Sequence, residues 1–134
     1  MVAVEGVNTV EPIRVLVVDD DALVLSAICR LLEGVCDVVA VGGAREALDL
    51  LSRDRGYDVV LCDLMMPEMT GMALYDEAVR LDAGLGSKLI FMTGGAFAPE
   101  ALDFLRRVGR PCLDKPFTLD ELNAALAAAA RRVN

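Results

Sequence analysis

Short apolar segments alternate along the chain with longer segments in which apolar residues recur every three or four positions. The apolar segments are residues 13–18, 38–41, 59–62 and 89–92, and Asp, Gly or Thr follows each of them. Runs of this length that end abruptly at polar residues or Gly are typical of buried strands. The pattern therefore predicts a sheet whose strands lie in the core.

The segments between the predicted strands have the spacing of amphipathic helices. Their apolar stripes are Leu25, Ile28 and Leu32; Ala44, Ala47, Leu48 and Leu51; Met72, Tyr75 and Val79; Leu102, Leu105 and Val108; and Leu119, Leu122, Leu126 and Ala129. Five strand-helix units result, the last strand being a short one at an edge, since Pro111 lacks a backbone donor there. This alternation predicts an α/β fold, a parallel sheet with helices on both faces.

In such folds the side chains that follow the strands converge at one edge of the sheet, where the strand order reverses. Here those residues are Asp19, Asp20, Asp63, Thr93 and Lys115. Three carboxylates in one place repel one another unless a cation compensates them, and Mg²⁺ prefers such oxygen ligands. The Lys ammonium and the Thr hydroxyl suit the oxygens of a transferring phosphoryl group.

Composition narrows the function further. The chain of 134 residues has room for one folded domain, with residues 1–12 as a leader and 13–134 as the domain. A net charge of -8 and the lack of a basic run argue against nucleic-acid binding. No apolar stretch reaches the roughly 18 residues of a membrane span, so a cytoplasmic protein is expected. The four cysteines lack zinc-site spacing and are interpreted as buried reduced thiols.

Four motifs together resemble the response-regulator receiver family of two-component signalling. They are V-L-V-V-D-D-D at 15–21, D-L-M-M-P-E-M-T-G at 63–71, F-M-T-G-G at 91–95 and L-D-K-P-F at 113–117. Each is weak alone, because an Asp pair can be a helix cap and a Lys before Pro can be solvated. Their order and spacing cover nearly the full chain. The resemblance implies the flavodoxin-like (βα)5 fold with strand order 2-1-3-4-5.

The resemblance also implies roles for the residues at the predicted edge. Asp63 is the phosphoacceptor, Asp20 a direct ligand of Mg²⁺ or Mn²⁺, and Asp19 holds the metal through water. Asp63 and the backbone carbonyl of Met65 complete the protein ligands. Thr93 hydrogen-bonds the phosphoryl group and Lys115 pairs with it.

Backbone groups around the site have implied roles as well. The N-H groups of Leu64, Met65 and Gly94 are expected to contact the phosphoryl oxygens. The peptide between Lys115 and Pro116 is expected to be cis. The loop after the phosphoacceptor would be shaped by Pro67 and Gly71.

The implied reaction is attack by the Asp63 carboxylate on the phosphorus of a phosphohistidine, carried by a histidine kinase or a histidine phosphotransfer protein. The chain contains no His, so the donor is a different chain or another part of a longer one, as in a hybrid histidine kinase. After Phe117 only one helix is predicted, so no DNA-binding output domain is expected. The domain is thus expected to be a signalling phosphoacceptor and not an enzyme that turns over a substrate. A homodimer formed through the fourth helix, fifth strand and fifth helix is a further expectation.

Three other classes fit less well. An FMN-binding protein of similar fold should have a phosphate-binding loop after the first strand, but the acids Asp19, Asp20 and Asp21 stand there and would repel a phosphate. A phosphatase with an Asp nucleophile should carry a second Asp at the position of Met65. A degenerate receiver, acting as an unphosphorylated interaction module, remains the alternative, although such domains usually lose an acid, the Thr or the Lys.

One position departs from the family. Cys112 stands three residues before Lys115, where the family usually has Tyr or Phe as a switch that turns inward when the Thr moves. A thiol has no ring to turn. We therefore expect weaker or rerouted coupling between the phosphorylation site and the face formed by the fourth helix, fifth strand and fifth helix.

Overall fold

The computed structural model describes residues 12–95 and 98–133, and only the backbone of 130–133. Five parallel strands form one sheet in the order β2-β1-β3-β4-β5. The strands are β1 (Arg14–Val18), β2 (Asp37–Val41), β3 (Val59–Asp63), β4 (Leu89–Thr93) and β5 (Cys112–Asp114). The helices are α1 (Ala22–Leu32), α2 (Ala44–Arg53), α3 (Gly71–Leu81), α4 (Pro99–Val108) and α5 (Leu119–Val133), with a 3-10 helix at Ala83–Lys88.

The predicted α/β fold, the strand order 2-1-3-4-5 and the edge position of the last strand are confirmed. The predicted leader, residues 1–12, lies outside the described residues except for Pro12, so the domain boundary at 13 stays a prediction. Among the described helices, none combines the length and apolar character that crossing a membrane requires.

Alternation along the strands divides the core into two layers. Leu16 and Val18 point to the face covered by α2, α3 and α4. Val15 and Val17 point to the opposite face, which α1 and α5 cover. All four side chains are fully buried, as expected for a strand in the middle of a parallel sheet. The sheet is therefore buried on both faces, and the polar residues lie at its carboxyl-terminal edge.

Polar side chains close to that edge cap the helices α1 and α3 that follow β1 and β3. The Asp21 carboxylate accepts a hydrogen bond from the Leu23 backbone N-H at 2.9 Å, which starts α1. The Thr70 hydroxyl accepts from the Ala73 backbone N-H at 3.1 Å, which starts α3. These caps fix where the loops after β1 and β3 end.

The apolar stripes predicted for α3 and α4 are confirmed in part, because four of their six residues pack against the core, namely Met72, Tyr75, Leu105 and Val108. In α3 the fully buried side chains are Leu74 and Ala78, whereas Met72, Tyr75 and Val79 are only half-buried. In α4 they are Ala101 and Phe104, whereas Leu102 is 37% exposed and Leu105 and Val108 are half-buried. Both helices carry apolar residues on two adjacent faces, so periodicity alone did not select the buried one.

The interpretation of the four cysteines needs a similar correction. All are free, but only Cys62 is fully buried, and Cys29, Cys36 and Cys112 are half-buried. Burial raises the pKa of the Cys62 thiol well above its usual value. Its Sγ donates to the Asp63 carbonyl at 3.2 Å, so the thiol packs directly beneath the end of β3.

A polar cluster closes the opposite, amino-terminal edge of the sheet. The Arg14 guanidinium donates to Asp54 at 2.9 and 3.4 Å and lies 4.5 Å from the centre of the Tyr57 ring. The Arg14 backbone N-H donates to the Asp58 carboxylate at 2.8 Å. The hydrogen bond from Arg14 is the largest of the influences that hold the pKa of Asp54 below its usual value.

An Asp54→Asn variant is expected to lose stability in a pH-dependent way. A carboxylate whose folded-state pKa is lowered stabilises the fold above its unfolded-state pKa, and that contribution disappears as the pH falls through the folded-state pKa. The variant should therefore unfold at lower urea concentration than the parent near neutral pH, and the gap should narrow toward pH about 3. The Asp49→Asn variant, whose partner Arg53 lies on the same exposed helix face, should change little at either pH. A gap that is equal at both pH values would contradict the assignment.

Candidate functional site

Five polar residues occupy the carboxyl-terminal edge of the sheet, as the strand pattern predicts. Asp19 and Asp20 follow β1, Asp63 ends β3, Thr93 ends β4 and Lys115 follows β5. Pairing of β1 with β3, β3 with β4 and β4 with β5 sets them side by side. The structure brings all five predicted residues to one edge.

The three carboxylates form a compact cluster. Asp19, Asp20 and Asp63 each offer one oxygen, and these oxygens lie within 4.8 Å of one another. Asp19 is fully buried, Asp63 is 7% exposed and Asp20 is exposed. The Asp19 Oδ1 accepts from the Asp21 backbone N-H at 2.9 Å, which fixes its orientation. The cluster thus has one face in the protein and one in solvent.

Lys115 is the cation that balances the cluster. Its Nζ donates to Asp19 Oδ2 at 2.7 Å and lies 3.4 Å from Asp63 Oδ1. Its backbone N-H donates to the Thr93 carbonyl at 2.7 Å, and its peptide bond to Pro116 is cis, the geometry implied by the resemblance. The ammonium is therefore placed between two carboxylates by an extension of the β4-β5 pairing.

The environment shifts two pKa values at the site. Burial, together with the charge of Asp19, raises the pKa of Asp63 despite the nearby ammonium. Burial by itself would lower the pKa of Lys115, but its hydrogen bond to Asp19 and the charge of Asp63 raise it above the usual value. Three carboxylates and one ammonium leave a net negative site, which favours binding of a further cation.

The loop after Asp63 is held tightly against the strand it leaves. Gly71 donates its N-H to the Leu64 carbonyl at 2.9 Å. A Cβ at Gly71 would lie 2.4 Å from the Asp63 carbonyl oxygen and 3.1 Å from the Leu64 Cα. Within the loop, Glu68 adopts φ 67°, a left-handed conformation that few residues other than Gly favour. Only a residue without a side chain fits at Gly71.

A Gly71→Ala variant is therefore expected to lose about 1–3 kcal/mol of unfolding free energy. The clash is with backbone atoms, which no side-chain rotation relieves, so the end of β3 must shift together with Asp63. Urea unfolding measures the loss. Gly42→Ala is the control, because a Cβ there meets nothing nearer than the Glu46 Oε1 at 3.9 Å. Equal stability of the two variants would show that the loop adapts without cost.

One of the backbone groups predicted to contact a phosphoryl group already has a hydrogen-bond partner. The Leu64 N-H donates to the Met92 carbonyl at 2.8 Å, because the β3-β4 pairing continues one residue past Asp63. This donor is part of the sheet in the structure, so a contact with a phosphoryl group would require it to leave the Met92 carbonyl, and the role of Leu64 stays a prediction. Met65 is 50% exposed and Gly94 is exposed, and the roles of their backbone groups stay predictions.

Thr93 and Cys112 lie where the resemblance places the switch. Thr93 is 5% exposed, and its hydroxyl makes no hydrogen bond within the described residues. Cys112 is half-buried on the edge strand, opposite Phe91 of β4. Burial raises the pKa of its thiol to about 11, with a contribution from the Asp114 carboxylate. The thiol is therefore a neutral packing group.

Three aromatic rings pack together around Phe91, the β4 residue that pairs with Cys112, an arrangement that the sequence did not reveal. Phe104 of α4 meets Phe91 edge-on at 5.4 Å and Tyr75 of α3 edge-on at 5.5 Å, measured between ring centres. These rings come from three elements far apart in sequence, so no local pattern predicts their contact. They link the strand that ends at Thr93 to α3 and α4.

A cleft of about 280 Å³ opens beside Asp20. Its walls come from the start of α2, including Arg45 and Glu46, and from Pro67 and Glu68 of the loop after β3. These residues carry no motif that would have marked them in the sequence. The cleft gives the acid cluster access to solvent.

The donor set suits a hard divalent cation. All three side chains offer oxygen, and no soft ligand belongs to the cluster, which matches the preference of Mg²⁺ or Mn²⁺. The open side next to Asp20 leaves room for the water molecules that Mg²⁺ retains. The residues present therefore fit the cation that the resemblance implies.

Comparison with known proteins supports one family. The family described as response regulator receiver domain matches residues 15–127. The chain is 38% identical over 125 residues to the response regulator MprA of Mycolicibacterium vanbaalenii, which covers 90% of this chain and 52% of that protein. It is 34% identical over 122 residues to the transcriptional regulatory protein ZraR of Escherichia coli O157:H7, covering 90% of this chain and 27% of that protein.

Solved structures agree with the sequence relatives. A response regulator receiver domain protein from Clostridium thermocellum superposes with a TM-score of 0.81 at 27% identity, covering 90% of this chain and 96% of that one. The chemotaxis protein CheY4 of Vibrio cholerae gives 0.75 at 28% identity, covering 88% and 98%. The chain spans about half or a quarter of the two curated relatives. Fold, site and relatives together place this chain in the response regulator receiver domain family of two-component signalling.

Proposed function

We propose that this receiver domain accepts a phosphoryl group on Asp63 from a phosphohistidine of a histidine kinase or a histidine phosphotransfer protein. One carboxylate oxygen of Asp63 forms a bond to phosphorus while the bond between phosphorus and the donor's imidazole nitrogen breaks. The single observation that carries the proposal is the contact of one ammonium, Lys115 Nζ, with both Asp19 at 2.7 Å and Asp63 at 3.4 Å. The nucleophile therefore lies beside an ammonium that can stabilise the negative charge of the phosphoryl oxygens during transfer.

The acid cluster has a second role in the proposal. Asp19, Asp20 and Asp63, with the backbone carbonyl of Met65, would hold Mg²⁺ or Mn²⁺, with Asp19 acting through water. When bound, such an ion neutralises negative charge on the transferring group. The Asp21 N-H holds Oδ1 of the buried Asp19 in place. The other oxygen, Oδ2, then accepts from the Lys115 ammonium and orients it.

The remaining residues position the phosphoryl oxygens. The Thr93 hydroxyl has no hydrogen-bond partner within the described part of the chain and is proposed to donate to one oxygen. The backbone N-H groups of Met65 and Gly94 are proposed to serve the others. The product is an acyl phosphate, which water hydrolyses, so the domain records a signal for a limited time and is no turnover enzyme.

Coupling to the rest of the molecule is proposed to differ from that of typical members. Cys112 has no ring to follow Thr93 inward, and the ring cluster of Tyr75, Phe91 and Phe104 already fills the space between β4, α3 and α4. We propose that movement at Thr93 reaches α3 and α4 through Phe91, two residues upstream on β4. A homodimer through α4, β5 and α5 stays a prediction, as does a cytoplasmic location.

The alternative is a degenerate receiver that acts without phosphorylation. The retention of three acids, the Thr and the Lys at one edge favours the phosphoacceptor. Whether the domain stands alone or belongs to a hybrid kinase does not alter the chemistry proposed for its site.

The test is intact-mass measurement after incubation with acetyl phosphate, with and without Mg²⁺. We expect a gain of one phosphoryl group, about 80 Da, only when the cation is present. A phosphohistidine protein as donor is the second arm, because a small donor can be refused by a functional receiver. A chain that gains no mass from either donor would overturn the proposal and favour the interaction module.

A further inference from the structure

The third of the consecutive acids after β1, Asp21, is bonded both to α1 and to the acid cluster. Its carboxylate accepts from the Leu23 N-H at 2.9 Å, and its carbonyl accepts from the Leu25 N-H at 3.1 Å. Its own N-H donates to the Asp19 Oδ1 at 2.9 Å. The transfer proposed above gives the side chain of this exposed residue no part. Its contacts nevertheless connect the first turn of a helix with a buried carboxylate of the site.

The direction of the Asp19 carboxylate depends on this N-H. Oδ1 accepts from the Asp21 N-H, and Oδ2 accepts from the Lys115 Nζ at 2.7 Å. The backbone N-H of Asp19 donates to the Val41 carbonyl at 3.3 Å, which holds the main chain but not the carboxylate. Since Asp19 is fully buried, a donor that is lost from Oδ1 leaves a buried acceptor unsatisfied. The Asp21 N-H therefore keeps Oδ2 directed at Lys115.

The side chain of Asp21 fixes the turn that carries this N-H. Residue 21 has φ -91° and ψ 110°, the extended backbone of a helix N-cap. Its carboxylate bonds to an N-H two residues ahead, which closes the turn between β1 and α1. Residues 22–25 are Ala, Leu, Val and Leu, so none of them can replace the cap with its own side chain. A chain without an acceptor at position 21 would hold this turn less firmly.

We propose that Asp21 is a positioning residue for phosphoryl transfer and that it acts through Asp19. The cap holds the turn, the turn holds the Asp21 N-H against Oδ1, and Oδ2 then holds the Lys115 ammonium 3.4 Å from the Asp63 Oδ1. This inference rests on the phosphoacceptor function proposed above. The role belongs to the acceptor oxygen of Asp21 and not to its negative charge, because the N-cap contact needs only an oxygen.

Two substitutions at this position separate the acceptor from the charge. Asp21→Ala removes both, whereas Asp21→Asn keeps an oxygen that caps a helix about as well as a carboxylate does. Asp82→Ala is the matched control. The Asp82 carboxylate accepts from the Gly84 N-H, also two residues ahead and also at 2.9 Å. It starts the 3-10 helix that leads into the amino-terminal end of β4, whereas the site lies at the carboxyl-terminal ends of the strands.

The first test is hydrogen exchange of the backbone amide of residue 21 in magnesium-free buffer. We expect the protection factor of this amide to fall at least roughly tenfold in Asp21→Ala and to stay near the parent value in Asp21→Asn and Asp82→Ala. An unchanged protection factor in Asp21→Ala would overturn the proposal, because the N-H would then be held without the cap. An equal fall in Asp21→Asn would overturn it by assigning the effect to the charge.

The second test measures what the site loses. Affinity for Mg²⁺ comes from the rise of the urea midpoint with Mg²⁺ concentration, and the transfer rate from the gain of mass with acetyl phosphate at saturating Mg²⁺. We expect both to fall about tenfold in Asp21→Ala, as is typical when a residue that orients a metal ligand is lost. Asp21→Asn should retain both to within about twofold, since an exposed charge contributes little.

The control decides between positioning and stability. Asp82→Ala should lose stability but keep its affinity for Mg²⁺ and its transfer rate, and equal losses in Asp82→Ala and Asp21→Ala would overturn the proposal. A parent chain that gains no phosphoryl group would refute the proposed function instead. Amide exchange and Mg²⁺ affinity do not require transfer, so they still test the effect of Asp21 on Asp19 and keep the two failures distinguishable.

Discussion

An Asp63→Asn variant is expected to gain no phosphoryl group under conditions in which the parent chain gains one. The amide has no negative oxygen to attack phosphorus, and it is neutral, so the cation site also loses one of its three carboxylates. The loss should be complete within detection, for acetyl phosphate and for a phosphohistidine protein alike. Intact mass after a few minutes of reaction is the measurement.

The same variant should remain folded, which separates a lost nucleophile from a lost structure. Asp63 lies near Asp19 and Asp20, and its burial and these charges raise its pKa. Its ionised form therefore lowers the stability of the folded state. In magnesium-free buffer the variant is therefore expected to unfold at a urea concentration equal to or higher than that of the parent. Because one ligand is missing, added Mg²⁺ should stabilise the variant less than the parent.

The matched control for this experiment is Asp103→Asn. Asp103 is an exposed carboxylate on α4, away from the strand ends, and its loss should leave the mass gain unchanged. A gain of mass in Asp63→Asn would mean that another residue accepts the group and would contradict the assignment of Asp63. A loss of the gain in Asp103→Asn would point to a change in the whole domain.

The convergence of the site could be predicted because it depends on topology. Asp19, Asp63 and Thr93 each come directly at the end of an apolar strand, and parallel strands bring such ends to one edge. No side-chain detail enters that step. The roles given to these residues came instead from the motifs, whose order and spacing matched one family over most of the chain.

Details that depend on packing could not be predicted. The sequence does not show whether the Leu64 N-H continues the ladder to β4, since that depends on how far the two strands run together. It also does not show which of two apolar faces α3 turns to the sheet, so Leu74 and Ala78 were missed. The exposure of Leu23 could not be predicted either, because α1 carries apolar residues on more than one face.

The edge of the sheet combines two opposing requirements. Binding of a cation and a phosphoryl group needs several carboxylates close together, and the fold must tolerate their repulsion when neither is bound. Lys115 meets both requirements, because its Nζ contacts Asp19 and Asp63 at once. It stabilises the cluster before reaction and remains beside the nucleophile during it. The carboxylate of Asp19 needs this ammonium most, because it is fully buried and has no contact with water.

A Lys115→Met variant is therefore expected to fail in two ways. Methionine keeps most of the apolar stem but has no charge, so the buried Asp19 carboxylate loses its partner, at a cost of about 3–5 kcal/mol in unfolding free energy. Transfer from acetyl phosphate should also slow by about 10²–10³, the loss typical of removing one preorganised donor to the transition state. Urea unfolding measures the first effect and time-resolved intact mass the second.

Lys88→Met is the control, since Lys88 is the only other lysine of the chain. Its Nζ donates to the Arg55 carbonyl at the surface, at 2.9 Å, so its loss should cost little and leave the transfer rate unchanged. Added Mg²⁺ should recover more stability in Lys115→Met than in the parent, because the cation then supplies the only positive charge at the cluster. If Mg²⁺ stabilises both chains equally, Lys115 does not share the carboxylates with the cation, and the balance of charge proposed for this site is wrong.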